Sequence, residues 1–175
     1  MRKVGDLVDV VGIIGDDWGM QDRLYLSQTL FHEVFRTGIE NMVAMIRKYT
    51  AAPIFAHSCG AIDPLIPEFI EIGFNVLNPI QLSAKGMSNT AELKRKYGRQ
   101  LTFWGGGVDT QKVLNLGSLA DIEQEVQRRI ADLAPGGGFV FCPVHNIQAD
   151  VPPANIVHAY ELVERWGKSP IGQSL

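Results

Sequence analysis

Apolar and polar positions along this chain fall into alternating blocks. Short, mainly apolar runs occupy residues 7–14, 53–56, 74–77, 101–104 and 139–141, interrupted singly by Asp9, Asn75 and Thr102. Runs without polar alternation are the mark of strands buried on both faces, as in parallel sheets. Between the runs the period changes. Phe31, Val34, Phe35, Ile39, Met42, Val43 and Ile46 recur at threes and fours, which predicts a helix over 27–49 with Ser27 as its N-cap. A second helix is predicted over 62–72, with Gly73 at its C′ position, and a third over 90–97, stopping at Gly98. Ser118-Leu119-Ala120-Asp121 reads as a capping box that opens a helix to Leu133, with Ile122, Val126, Ile130 and Leu133 on one side. A last helix is predicted over 153–166, with proline in its first turn.

A strand followed by a helix, five times over, implies a parallel sheet covered by helices. Either a doubly wound sheet or a barrel fits that pattern. The polar residues favour the barrel. Asp16, Asp17, His57, Cys59, Asn78, Gln81, Asp109, Cys142 and His145 all fall just after the apolar runs. In a (β/α)₈ barrel every such strand end opens on one mouth, whereas an open sheet gathers only those near its switch point. A full barrel needs eight strands and usually about 250 residues. Five units in 175 residues therefore predict an α/β chain that is the C-terminal portion of a (β/α)₈ TIM barrel, with residues 1–175 as one partial domain.

Composition narrows the function. At 46% hydrophobic residues there is ample material for a core. The net charge is −3, with no basic tract, so no nucleic-acid footprint is expected. No apolar stretch approaches the ~20 residues that span a bilayer, and the N-terminus carries no run of the signal-peptide type. Two cysteines do not make a disulfide framework. A cytoplasmic chain with reduced thiols and no membrane partner is the expectation.

The densest chemistry is His57-Ser58-Cys59. Residues i and i+2 of a strand face the same way, so an imidazole and a thiol stand side by side as two zinc ligands. Cys142 and His145 follow the last apolar run and offer further donors. Zinc with one open position binds and deprotonates a thiol or water. The plainer alternative is that the cysteines pack as small hydrophobes. The triplets at Gly105–Gly107 and Gly136–Gly138 lack the Lys-Ser/Thr of a phosphate loop, which favours close backbone approach or simple turns. Trp18 and Trp104 either wall a pocket or pack internally, and His32 and His158 fall on helices as surface or packing residues.

Several segments together resemble the uroporphyrinogen decarboxylase superfamily. They are Asp17-Trp18-Gly19-Met20-Gln21, His57-Ser58-Cys59-Gly60, the strand from Gly73 to Gln81, and the stretch from His145 to Ile156. The likeness runs over residues 10–166 and implies the second half or more of a (β/α)₈ barrel. The superfamily holds two chemistries: metal-free decarboxylation of uroporphyrinogen, and zinc-dependent methyl transfer between a corrinoid protein and a thiol. The His-x-Cys at 57–59 resembles the methyltransferase ligand motif. What the resemblance implies is zinc held by His57, Cys59 and a third ligand, either His145 by position or Cys142 by ligand type, with His145 favoured. Asp17 and Asp109 would then orient the acceptor or hold supporting hydrogen bonds, with strand-end capping as their alternative. The implied partners are a corrinoid protein and a small thiol acceptor. The runner-up is a carboxy-lyase of porphyrin biosynthesis, whose catalytic aspartate comes from a part of the barrel outside this chain. A third reading is an inactive barrel fragment. Five strands leave open edges, so a homo-oligomer is expected.

Overall fold

The computed structural model describes residues 3–168. Its centre is a sheet of five short strands: β1 Val11–Ile13, β2 Ile54–His57, β3 Val76–Asn78, β4 Thr102–Trp104 and β5 Phe139–Val140. Their spatial order is β1-β2-β3-β4-β5, and every neighbouring pair is parallel. Strands adjacent in sequence are thus adjacent in the sheet, without the reversal of order that defines a doubly wound sheet. Parallel crossovers of one hand put the helices on one side. The sheet is an arc of a barrel.

Register decides which side chains face where. Ile13, Ala56, Leu77, Phe103 and Phe139 align across the five strands. Ala56, Leu77 and Phe103 are buried under the helices. The alternate positions turn to the concave face. There Phe55 aligns with Val76, His57 with Asn78, and Trp104 with Val140.

The elements follow the sequence expectations closely. The helix predicted over 62–72 opens with a 3₁₀ turn, Asp63–Leu65, and becomes α-helical at Ile66, and there are three further departures. Strand β1 covers only part of the predicted run 7–14: Gly5–Leu7 form a 3₁₀ turn, and Leu7 and Ile14 are exposed. Among the described residues β1 is an edge strand, paired on one side with β2. The helix predicted over 27–49 is built from α1 Gln28–Leu30, a π-helical turn Phe31–Arg36, and α2 Thr37–Arg47. Ser27 caps it as expected, its hydroxyl accepting from the Leu30 N–H. The wider π turn brings Phe31 and Phe35 edge-on to Trp18, with ring centroids 5.1 and 5.0 Å away. Third, a short helix α5, Val113–Leu116, occupies a stretch that carries no periodic signal.

Helix α3 Ile66–Ile72 ends at Gly73, whose φ of 106° is left-handed. Helix α4 Thr90–Tyr97 is capped by the Asn89 side chain. Helix α6 Leu119–Leu133 opens with the Ser118–Asp121 capping box, and α7 Pro153–Trp166 closes the chain. One core, including Phe31, Ile54, Leu77 and Phe103, lies between β1–β4 and helices α2–α4. A second, including Leu114, Val126 and Leu162, lies between α5, α6 and α7. Among the described residues no helix is long and apolar enough to cross a membrane.

Candidate metal centre

The C-terminal end of β2 carries the chemistry because of how two loops meet there. Gly60 has φ 93°, and a Cβ on it would lie 2.2 Å from the Gly19 carbonyl carbon. Only glycine backbones approach so closely. The contact locks the loop after β1 against the loop after β2. The Ser58 hydroxyl accepts from the Trp18 N–H (2.9 Å), and Trp18 is held in turn by Phe31 and Phe35. A tight antiparallel return, with Gly19 bridged to Leu24, rigidifies the rest of the loop.

This clamp sets Asp17 beside His57 and Cys59. The Cys59 N–H donates to Asp17 Oδ1 at 2.7 Å. His57 Nε2 lies 3.9 Å from Cys59 Sγ and 3.8 Å from Asp17 Oδ1. One donor atom from each residue falls within 4.8 Å of the other two. Burial pushes the Cys59 thiol up to about 11, and the neighbouring Asp17 carboxylate adds to the shift.

Asn78 determines which imidazole nitrogen is free. Its Nδ2 donates to the Trp104 carbonyl (2.7 Å), which leaves Oδ1 facing His57 Nδ1 at 2.6 Å. Nδ1 must then carry the hydrogen, and the Nε2 lone pair points at the Cys59–Asp17 side. On the far side of Cys59, the nearly buried Gln81 accepts from the Gly60 N–H through Oε1 (2.7 Å).

The other residues singled out by sequence stand nearby in different settings. Cys142 and His145 line a hollow of about 410 Å³ together with His57 and Asn78. Among the described residues neither joins the Asp17–His57–Cys59 group. Burial raises the Cys142 thiol above its ordinary range. Asp109 is buried, and its Oδ1 accepts from the N–H groups of Gln111 (2.7 Å) and Lys112 (3.1 Å), the capping arrangement named as its alternative. Trp104 packs edge-on against Phe55 on the concave face, at 5.5 Å. A Cβ on Gly107 would meet the Phe141 ring at 2.3 Å, so the first glycine triplet serves close approach. His32 sits 3.4 Å from Glu68 on the helix surface, and His158 Nε2 is buried without a partner among the described residues.

Sequence reasoning had not assigned Asn78 or Gln81 a part in the site, nor placed Asp17 among the donors. The available signal was their position: each lies at the end of, or just after, a strand adjacent to the one that carries His57.

Five parallel β/α units in sequential order, with titratable side chains gathered at one end, define a partial (β/α)₈ barrel with a polar mouth. The chain belongs to the uroporphyrinogen decarboxylase (URO-D) family, whose pattern it matches over residues 10–166. No curated protein sequence matches it. Among solved structures, a methyltransferase from Methanosarcina mazei superimposes with a TM-score of 0.70 at 16% sequence identity. The match covers 94% of this chain and 44% of that one, so the chain spans less than half of that structure's length. At this identity the likeness is one of fold.

Proposed function

We propose that this chain carries the metal-binding part of a zinc-dependent methyltransferase that moves a methyl group between a corrinoid protein and a thiol acceptor. The observation that carries the reading is the Asp17–His57–Cys59 group, with its three donor atoms within 4.8 Å of one another. Thiolate sulfur, imidazole nitrogen and carboxylate oxygen are the ligand types that zinc accepts. The group also fits a cation electrostatically: a half-buried thiol beside a carboxylate is held protonated, and a divalent ion relieves that opposition.

His57 and Cys59 would hold the ion, with Asp17, His145 or Cys142 completing the set. Bound zinc lowers the pKa of a coordinated thiol so that it is a thiolate at neutral pH. The chain's own groups do the positioning. Asn78 keeps the His57 ring in the tautomer that presents Nε2. The Cys59 N–H restrains the Asp17 carboxylate. Phe55 and Trp104 add apolar surface on the concave face beside the site.

Metal analysis of the purified chain tests this reading. Near-stoichiometric zinc is expected, and it should be lost in Cys59→Ala. Parallel loss in Asp17→Ala, His145→Ala or Cys142→Ala identifies the third ligand. A folded wild-type chain that takes up no zinc on titration would overturn the reading and favour the metal-free carboxy-lyase chemistry.

A further inference from the structure

A second hollow, of about 540 Å³, adjoins the first and shares Val144, His145 and Asn146 with it. One wall comes from the loop after β4, with Thr110 and Gln111, and from Asn115 in the short helix α5 that follows it. The other comes from the loop after β5, with Asn146, Gln148 and Asp150. Gln81 sits between this hollow and the metal centre.

Two features mark it as a built site. First, its walls are fixed by buried polar groups. Asp109, which is 7% exposed, ties down the N–H groups of Gln111 and Lys112. The Asp109 N–H is itself held by Glu125 (3.1 Å), which pairs with the buried Arg129. Asn155, 9% exposed, anchors the Leu114 carbonyl at 2.9 Å, and Asn115 donates to Asp150 at 2.7 Å. Second, polar groups remain free to bind. The Thr110, Gln111 and Asn146 side chains make no hydrogen bond among the described residues, and Gln81 Nε2 has only a 3.5 Å contact to Ser83.

The chemistry of the lining selects the ligand. It is dominated by amides, with one hydroxyl and the His145 imidazole, and amides both donate and accept. Among the lining residues the one fixed charge is the Asp150 carboxylate. Such a surface matches a neutral chain bearing hydroxyl or amide groups and opposes a sulfonate, phosphate or carboxylate. We infer that this hollow binds the non-reacting tail of the acceptor, and that the tail is a neutral polyol or amide-bearing chain. The inference rests on the methyltransferase reading for the word acceptor, while the polyol site itself does not.

The test uses side-chain amide signals of the ¹⁵N-labelled full chain at pH 8. The probes are 1-thioglycerol, glycerol and 2-mercaptoethanesulfonate. Both neutral probes should move the Gln81, Gln111 and Asn115 amide signals. The sulfonate should bind at least about tenfold more weakly than 1-thioglycerol. The double variant Thr110→Val/Gln111→Leu changes two side chains with no structural partner, and should weaken 1-thioglycerol about tenfold, the equivalent of one net hydrogen bond. Equal or tighter sulfonate binding, unmoved amide signals, or unchanged affinity in the double variant would overturn the inference. The glycerol response should persist in Cys59→Ala. Failure of the zinc site and failure of this site are therefore separate results.

Discussion

At the scale of single residues, Asn78 is the most telling. It stands outside the group of three donors, yet its two hydrogen bonds set the orientation of the His57 ring. Asn78→Ala is expected to weaken zinc binding 10–100-fold with an unchanged far-UV circular dichroism spectrum, as measured by competition with a chromogenic chelator. Cys59 makes a second prediction. Its thiol is pushed up to about 11, so it is protonated at neutral pH and metal binding must release that proton. Zinc affinity should rise by up to about tenfold per pH unit between pH 7.5 and 9, with about one proton released from Cys59 for each zinc bound. A pH-independent affinity would mean that Cys59 is not a ligand. The pair His57–Cys59 was legible in the sequence as two donors two positions apart, but β2 ends at His57, so Cys59 owes its place beside the imidazole to the loop that Asp17 holds and not to strand alternation. Asp17 as a donor was not legible, because a carboxylate forty positions away reaches Cys59 only through the folding of its loop.

At the scale of elements, the site depends on the Gly19–Gly60 crossing. Gly60→Ala places a Cβ against the Gly19 backbone at a left-handed φ. The strain alone costs about 1–3 kcal/mol, and the overlap adds to it. Urea denaturation should show a lower midpoint, and the displaced Asp17 loop should weaken zinc binding in the same variant. Wild-type stability would show that the two loops have room to separate. Ser118→Ala is expected to lower stability by about 1 kcal/mol through loss of the α6 capping box, with no change in metal content. The boundaries of α4, α6 and α7 were legible because caps, glycine and proline act locally. The π turn was not, since the same apolar period suits an α-helix. The wider turn packs Phe31 and Phe35 against Trp18, a residue brought in from the loop after β1.

At the scale of the whole molecule, the arc of five strands leaves the outer edges of β1 and β5 unpaired among the described residues, and Phe55, Trp104 and Val140 only partly buried on the concave face. Open parallel edges and a half-covered apolar face favour pairing between copies. Sedimentation at tens of micromolar is expected to show species larger than the 19.3 kDa chain, and Phe55→Lys should shift the distribution toward monomer. A purely monomeric wild type would remove the homo-oligomer from the proposal.

The sequence by itself determined the α/β class, the five-unit count, the parallel sheet and the placement of polar residues after strands. Hydrophobic period, caps and turn residues carry that information within a few positions of each other. Only the tertiary structure decided which of those polar residues meet. It joined Asp17 to His57 and Cys59, set Cys142 and His145 along the neighbouring hollow, and turned Asp109 to capping. The physical reason is that these encounters depend on inter-strand register and on backbone contacts between loops, such as Gly19 against Gly60, and both exist only once the sheet has formed.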